Sequence, residues 1–397
     1  MVEINKWLSA EFETFLSDSA NLITEKIGAE HIKNISLIGS FATREGTLVS
    51  IDEKIVFLSD VDIIVVVDSL EVLKEALPIR RQIGKECEKL LGSRAVFVGR
   101  VDVGVMTLED LSKLPPSPGN LLMKYRALVL FGDRGVFDAI PIHKSKTLPR
   151  EEASRLLENR IVQFLPESKV RYSSLGERIE KYRYIYSVSK VYTDIAVVLV
   201  SLSGGYVAEY KRRYEYLKDN ESIVQTNFHS SNQRLIDLIG WATDYKLSPS
   251  VDDELPFESV DDIWKGASKD LFAAWLSVKD FSGSIDDFLR DEKIDDYLMS
   301  KGSRGMSDNL RLWRSFFDRR GWDVAPRIFF ERGFSLLSLS PFETIRNEAV
   351  RLLFGRIKNG EGFRPDKRAV GFPFGADSFE DAARELYANW HIEVHGG

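Results

Sequence analysis

Apolar residues recur with two different spacings along this chain, and the change from one to the other divides it. Before Pro141, short apolar or alternating runs typical of strands are interspersed with segments of helical spacing. From Arg150 onward, nearly every periodic segment has helical spacing. The pattern predicts an α+β fold, with a small mixed β-sheet flanked by helices in residues 1–145 and a mostly α-helical domain, with room for two subdomains, in residues 146–397.

The elements that this pattern predicts can be placed along the chain. Strands are expected over residues 32–38, 60–67 and 95–106, with a short edge strand over 128–131. Helices are expected over residues 6–27, 41–44, 71–91, 108–114 and 120–129. In the second domain, helices are expected from residue 150 and over residues 179–202, 230–241, 271–278, 284–299, 306–317, 341–353 and 378–390, with a loop rich in glycine and proline over 358–373.

Three aspartates stand out because they lie in predicted buried strands. Asp60 and Asp62 are one residue apart, and side chains alternate along a strand, so both point to the same face. Asp102 lies in the middle of the next predicted strand. Carboxylates gathered there repel one another and resist desolvation, and a divalent cation relieves that cost. Mg²⁺ fits best, because it takes one or two carboxylates together with substrate phosphates. Three carboxylates can hold two metals for in-line phosphoryl displacement.

The Gly39-Ser40 turn is a second candidate feature, since it follows an apolar run over residues 35–38. A strand-to-helix turn presents backbone N–H groups to an anion, and glycine lets the backbone approach closely. The Ser40 hydroxyl would add one more donor. The alternative is an ordinary helix N-cap by Ser40. For the aspartates, the alternative is that Asp60 caps the strand and Asp62 pairs with a basic residue.

Taken in order, these residues resemble the signature of the polymerase-beta-type nucleotidyltransferase superfamily: an apolar strand, Gly39-Ser40, Asp60-x-Asp62 and then Asp102. Residues 121–133 also resemble the segment that closes this domain in many bacterial members. Beyond the first domain, only a weaker helical similarity persists. The resemblance implies a nucleotidyltransferase domain that moves a nucleoside monophosphate from a nucleoside triphosphate to an acceptor hydroxyl, with release of pyrophosphate. ATP is the expected donor.

The resemblance also implies a role for each of these residues. Asp60 and Asp62 would bind both Mg²⁺ (or Mn²⁺) ions. Asp102 would bind one of the ions and draw the proton from the acceptor hydroxyl. The Gly39-Ser40 turn would hold the β and γ phosphates of the nucleotide.

Basic and aromatic residues beyond the carboxylates supply further candidates. Lys190 lies in the first long helix of the second domain, where many superfamily members place a lysine against the triphosphate, and Arg44 is an alternative phosphate contact. The other interpretation of Lys190 is a surface lysine paired with Asp194 four residues later. Five basic residues either bind the acceptor or form a solvated basic face: Lys181, Arg183, Lys211, Arg212 and Arg213. Eight tyrosines either stack on the nucleobase or belong to the core: Tyr182, Tyr184, Tyr186, Tyr192, Tyr206, Tyr210, Tyr214 and Tyr216.

The spacing between the motifs departs from the family pattern. Residues 41–59 separate Gly39-Ser40 from Asp60, which is longer than in most superfamily members. Within this segment, Asp52-Glu53 lies between two β-prone runs and predicts a short hairpin or an extended loop near the site. The insert would form part of the substrate pocket or be a decoration of the fold.

Composition restricts the partners of such an enzyme. The net charge of −7 argues against bulk binding to nucleic acid or an anionic membrane and favours a small molecule or a protein as acceptor. The alternative function is a nucleotide-binding regulatory or interaction module on the same fold without transfer activity.

Compartment is judged from the absence of other signals. One cysteine, Cys87, excludes an intrachain disulfide, and the five histidines lack zinc-site spacing. No signal peptide is visible, and the longest apolar run near a helix, residues 195–200, is too short to span a bilayer. A cytoplasmic protein is therefore expected.

Overall fold

The computed structural model describes residues 2–141, 149–170, 175–205, 207–227, 232–252, 254–257, 262–281, 283, 285–291, 294–298, 305–320, 338–360, 363, 365 and 378–395. Within them the protein is α+β, as predicted, with small mixed sheets in the first part of the chain and helices after residue 150. The domain boundary expected near residue 146, Tyr206 and most of the loop predicted over 358–373 lie outside the described residues.

The described strands are β1 (Ile32–Ile38), β2 (Leu48–Ile51), β3 (Lys54–Phe57), β4 (Val61–Val67), β5 (Ala95–Phe97), β6 (Val101–Thr107) and β7 (Leu128–Gly132). Four of them form a mixed sheet in the order β6-β4-β1-β7. Strand β1 pairs antiparallel with β4 and β7, whereas β4 and β6 run parallel. Strand β4 is therefore central, which explains its nearly continuous apolar sequence.

The segment between the two motifs is a hairpin, one of the two predicted forms. Strands β2 and β3 pair antiparallel around Asp52 and Glu53, which have φ values of 48° and 64°. Left-handed backbone at both turn residues is the geometry of the tight hairpin turn that matches strand twist. Strand β5 adds parallel to β3 and completes a second sheet in the order β2-β3-β5.

The single strand predicted over 95–106 is wrong, because β5 and β6 belong to different sheets. The chain changes sheet at residues 98–100, where Gly99 packs against the backbone beside Asp60. A Cβ on Gly99 would lie 2.8 Å from the Ser59 carbonyl oxygen. The apolar alternation continues through this break, so it did not reveal the change of sheet.

The described α-helices agree with most of the predicted helices and extend several of them. They are α1 (Val2–Ile27), α2 (Gly39–Ala42), α3 (Leu70–Lys89), α4 (Leu108–Ser112), α5 (Pro118–Arg126), α6 (Arg150–Phe164), α7 (Arg178–Leu202), α8 (Tyr210–Asp219), α9 (Glu221–Asn227), α10 (Asn232–Leu247), α11 (Ile263–Val278), α12 (Ile285–Asp291), α13 (Met306–Arg320), α14 (Pro341–Asn359) and α15 (Phe379–His395). Helices α8 and α9 were not predicted; α8 is strongly polar, and Leu217 is its one fully buried apolar residue.

The hairpin joins the two parts of the protein through their cores. Phe57 and Leu48 pack into the core formed by the four-stranded sheet with α1 and α3. Val49 and Val56 pack into the large core of the helical region. The insert that is unusual in the sequence is thus the structural bridge between the sheet and the helices.

Helix α7 is the centre of the helical core. It is the one described helix that is long and apolar enough to cross a membrane, a longer stretch than the run over 195–200 suggested. However, 72% of its apolar window is buried inside the protein, as expected for the core helix of a soluble protein. Helices α6, α8, α10 and α11 pack around it.

Candidate active site

The sheet places the predicted carboxylates side by side. Asp62 on β4 is directly opposite Asp102 on the parallel strand β6, and neighbouring strands lie about 4.8 Å apart. On its other side, Asp62 is opposite Ile38, which leads into the Gly39-Ser40 turn. Among the described residues, no group of three or more His, Cys, Asp or Glu side chains is already arranged as a set of metal ligands.

Asp60 lies immediately before β4 rather than inside the predicted strand over 60–67. Its Oδ1 accepts a hydrogen bond of 3.1 Å from the backbone N–H of Arg100. The Val61 N–H in turn donates to the Arg100 carbonyl at 2.8 Å. The turn that leads into β6 therefore holds the segment around Asp60, partly as the strand-capping interpretation expects.

Gly39 is the residue that brings the turn against the carboxylates. Its φ is +70°, a conformation that favours glycine. A Cβ at this position would lie 2.5 Å from Asp62 Oδ2. The approach of the turn to the Asp62 carboxylate therefore depends on the absence of a side chain at residue 39.

Electrostatic strain is concentrated on Asp62. Burial, followed by the charges of Asp60 and Asp102, raises the pKa of Asp62 to about 8, while Lys190 and Arg100 act to lower it. Part of Asp62 remains accessible to solvent. A cation that entered from that side would relieve the repulsion.

Ser40 and Arg44 are the remaining predicted phosphate contacts near the turn. The N-cap of α2 is Ile38 and has no side-chain capping bond, so Ser40 lies inside the short helix and is not its N-cap. The Ser40 carbonyl accepts hydrogen bonds from the Thr43 hydroxyl and the Glu45 N–H. Arg44 is exposed, with a φ of 62°. No described contact joins the Arg44 side chain to the carboxylates.

Lys190 faces the carboxylates from helix α7. It is half-buried, its Nζ lies 5.4 Å from the ring centre of Tyr186, and its charge lowers the pKa of Asp62. The ion pair that the alternative interpretation expected is formed by another cation: Arg160 on α6 binds Asp194 with an Nε–Oδ2 distance of 2.7 Å. Asp194 is therefore held by Arg160, and the cleft between the carboxylates and helix α7 has Lys190 on its helical side, where its charge acts on Asp62.

A second lysine was not found from the sequence. Lys246 in the last turn of α10 is 1% exposed, and its Nζ donates to the Ser59 hydroxyl at 3.3 Å and to the Tyr186 hydroxyl at 3.2 Å. Burial, together with the charges of Lys190 and Arg160, holds the pKa of Lys246 well below its ordinary value. The predicted helix ended at Trp241, so nothing in the pattern pointed to residue 246.

Ser59 joins the segment before β4 to the helices. Its hydroxyl lies 3.0 Å from the Tyr186 hydroxyl and accepts a hydrogen bond of 2.9 Å from the Thr47 N–H. The Thr47 hydroxyl donates to the Lys246 carbonyl at 3.0 Å. The residue before Asp60 is therefore fixed by one residue of the insert and by two from the helical region.

The last described helix reaches the edge of the same cleft. Arg100 Nη1 lies 2.7 Å from His391 Nε2, and Arg81 Nη2 lies 3.2 Å from His391 Nδ1. Arg100 is the residue whose N–H binds Asp60. Helix α15, the last helix in the chain, thus contacts the loop that supports the carboxylates, which sequence reasoning also missed.

The tyrosines are mainly core residues, as the alternative interpretation expected. Tyr182, Tyr184 and Tyr192 are buried, and the Tyr192 hydroxyl donates to Asp270. Tyr186 is buried at the boundary of the cleft, where burial raises its pKa. Of the basic candidates, Lys211 and Arg212 are exposed, Arg183 pairs with Glu167, Lys181 is half-buried, and Arg213 is buried.

Comparison with protein-family models, with curated proteins and with solved structures finds no match to this chain. The functional argument therefore rests on the side chains themselves. Asp60, Asp62 and Asp102 lie near basic side chains from the helices: the charge of Lys190 acts on Asp62, and Lys246 donates to Ser59 beside Asp60. This arrangement can bind a metal ion together with a polyanion.

Proposed function

We propose that this protein is a metal-dependent nucleotidyltransferase. It moves a nucleoside monophosphate from a nucleoside triphosphate, with ATP as the expected donor, to a hydroxyl of a small molecule or a protein, and it releases pyrophosphate. A soluble protein of the cytoplasm would have this donor available. The observation that carries the proposal is the pairing of Asp62 with Asp102 across parallel strands, beside Asp60 and within the influence of the Lys190 charge from helix α7.

The carboxylates fit Mg²⁺ or Mn²⁺. Asp62 is only partly accessible to solvent and lies beside two like charges, and its pKa is raised, so the site favours an added cation. Because Mg²⁺ takes one or two carboxylates and completes its shell with water and phosphate oxygens, a closed cage of protein ligands is not required. Asp60, Asp62 and Asp102 would hold the metal, which when bound supplies charge stabilisation for phosphoryl transfer.

The chain's own residues would position the reactants. Lys190 binds phosphate oxygens of the donor, and the Gly39-Ser40 turn lies where those phosphates approach Asp62. The acceptor oxygen forms a bond to the α phosphorus, and the bond between that phosphorus and the bridging oxygen breaks, so that pyrophosphate leaves with the electron pair. Asp102 accepts the proton of the acceptor hydroxyl.

The direct test is label transfer. Purified protein is incubated with Mg²⁺ or Mn²⁺ and with each α-labelled nucleoside triphosphate in turn, and cell extract supplies acceptors. Label should enter a product or the protein itself while pyrophosphate is released, and Asp60→Ala/Asp62→Ala should be silent. Asp68→Asn is the matched control, because Asp68 follows the opposite end of β4 and is exposed.

Two results would contradict the proposal in different ways. Binding of the triphosphate that depends on metal and on Asp62, without any transfer, would indicate the regulatory or interaction module instead. Absence of both transfer and binding would make the three aspartates structural.

A further inference from the structure

A cavity of about 210 Å³ lies where the first domain meets the helical region. Helix α5 of the first domain forms one wall with Gly119 and Leu122, and helices α6 and α7 form others with Leu156 and Val200. Most of the lining is therefore apolar. The polar side chains of the lining are Asp194, Ser201, Tyr210 and Arg213.

Arg213 is the unusual member of this lining. It is 8% exposed, and its guanidinium lies 4.5 Å from the ring centre of Tyr210. Its Nη2 donates to the Ala208 carbonyl at 2.6 Å. Its Nε and Nη1 are buried and have no hydrogen-bond partner among the residues that the structure describes. Donors of a buried cation that lack acceptors are costly, because both the charge and the N–H groups have lost water.

Two carboxylates lie near Arg213, and the charge of Arg213 acts on one of them, Glu45, but neither accepts a hydrogen bond from its Nε or Nη1. Glu45 accepts hydrogen bonds from the Tyr210 N–H at 2.8 Å and from the Thr43 hydroxyl at 3.2 Å. Asp194 is bound by Arg160. Arg213 is thus a buried guanidinium with spare donors, in the wall of an apolar cavity.

The cavity lies near the candidate active site. The ring of Tyr210 lies 5.1 Å from the Nζ of Lys246, and Lys246 in turn donates to the hydroxyl of Ser59, beside Asp60. Asp194 of the lining is one helical turn from Lys190. A molecule seated in the cavity would therefore border the cleft between the carboxylates and the helical cations.

We propose that this cavity is the acceptor pocket, and that the acceptor has an apolar body and an oxyanion that pairs with Arg213. The apolar walls bind the body, and the spare N–H groups of the guanidinium bind the oxyanion in the geometry that arginine offers to carboxylates and phosphates. The identification of this ligand as the acceptor rests on the proposed transferase function. The binding of such a molecule in the cavity does not depend on that function.

The test measures binding of 3-phenylpropionate and of phenyl phosphate to the full-length protein by isothermal titration calorimetry, without metal or nucleotide. The neutral probe 3-phenylpropan-1-ol has the same apolar body as 3-phenylpropionate and should bind to the wild type at least about tenfold more weakly. Either anion should likewise bind to Arg213→Met at least about tenfold more weakly than to the wild type. Whichever anion binds more tightly identifies the type of oxyanion. Arg212→Met is the matched control, since Arg212 is the exposed neighbour, and it should bind as wild type does.

A second variant guards against misfolding of Arg213→Met. Gly119 lines the cavity and is exposed, and a Cβ there meets no atom within 4 Å, so Gly119→Leu adds apolar bulk at the cavity wall without a clash of its Cβ while Arg213 stays in place. It should lose binding of both anions. Equal binding of the alcohol and the anion, or anion binding that survives both variants, would overturn the proposal.

The two proposals fail separately. Transfer activity in a protein that binds neither anion would refute only the pocket. Anion binding that needs Arg213, in a protein that never transfers label, would refute only the transferase and leave the cavity as a binding site for an apolar oxyanion.

Discussion

The two sides of the cleft are built in opposite ways. On the sheet side, Asp62 and Asp102 are neighbours through hydrogen-bonded strands, and Asp60 is two residues away in sequence. On the helical side, the basic side chains of Arg160, Lys190 and Lys246 come from three separate helices. The sheet fixes negative charge by local geometry, whereas the positive charge is assembled by packing of distant segments. Single substitutions on the sheet side should therefore reduce activity more than single substitutions on the helical side.

The largest effect is expected from the sheet side. Asp102→Asn keeps the size of the side chain but removes the group that would accept the acceptor proton and share the metal. The rate of transfer, kcat, should fall by roughly 10³-fold or more. The measurement is steady-state release of pyrophosphate, with Asp68→Asn at the far end of β4 as the control. An Asp102→Asn protein that retains more than about a tenth of the activity would remove Asp102 from the catalytic set.

A smaller effect is expected from Lys190. If it binds phosphate oxygens, Lys190→Met should raise KM for the nucleoside triphosphate by about 10- to 100-fold, the range for a lost charge-assisted hydrogen bond, and change kcat less. The control is Lys218→Met, an exposed lysine on α8. An unchanged KM would show that the half-buried position of Lys190 reflects packing against Tyr186 alone.

Lys246 sharpens the comparison because it touches both sides. Lys246→Met removes the amine that donates to Ser59 and Tyr186, and so loosens the residue before Asp60. We expect kcat, and the affinity for Mn²⁺ measured by electron paramagnetic resonance, to fall by about tenfold, as when support for a metal ligand is lost.

The control for this variant lies next to it in the chain. Tyr245→Phe removes a buried hydrogen bond of the same helix, from the Tyr245 hydroxyl to the Tyr182 carbonyl, that does not involve Ser59. The two variants should differ in Mn²⁺ affinity rather than in thermal stability. Equal Mn²⁺ affinity in wild type and Lys246→Met would mean that Lys246 does not support the carboxylates.

The same contrast explains what could be predicted from the sequence. Strand β1, most of β4 and the positions of Asp62 and Asp102 could be predicted from short apolar runs, because side chains on one face of a strand recur at every second residue. The break between β5 and β6 did not follow, since the alternation continues through Gly99 where the chain changes sheet. Lys246 and Ser59 are 187 residues apart, and no local pattern encodes their contact.

The insert over residues 41–59 also shows what could not be predicted from the sequence. Its turn residues Asp52 and Glu53, between two β-prone runs, predicted either a hairpin or an extended loop, and the structure has the hairpin. No pattern in the sequence indicates that Val49 and Val56 pack into the core of the helical region while Phe57 packs into the core of the four-stranded sheet. Which face of a strand meets which domain is decided by packing partners that lie elsewhere in the chain.

The smallest expected effect is a pH dependence of stability that comes from Asp62. Its pKa is about 8 in the folded protein, whereas an aspartate in the unfolded chain has an ordinary, much lower pKa. Between these values the folded state keeps the proton that the unfolded state has lost, so this group's contribution to stability is complete at low pH and is lost as pH rises through about 8. Asp62→Asn has no such loss.

In EDTA, the Tm of wild type relative to Asp62→Asn should therefore fall by roughly 2–6 °C between acidic and mildly alkaline pH. Mg²⁺ should reverse the fall in wild type only, because it binds the ionised carboxylate and releases its proton. A difference in Tm that does not vary with pH would show that Asp62 is already ionised in the folded protein, and that the cations of the helical side neutralise the sheet side without a metal.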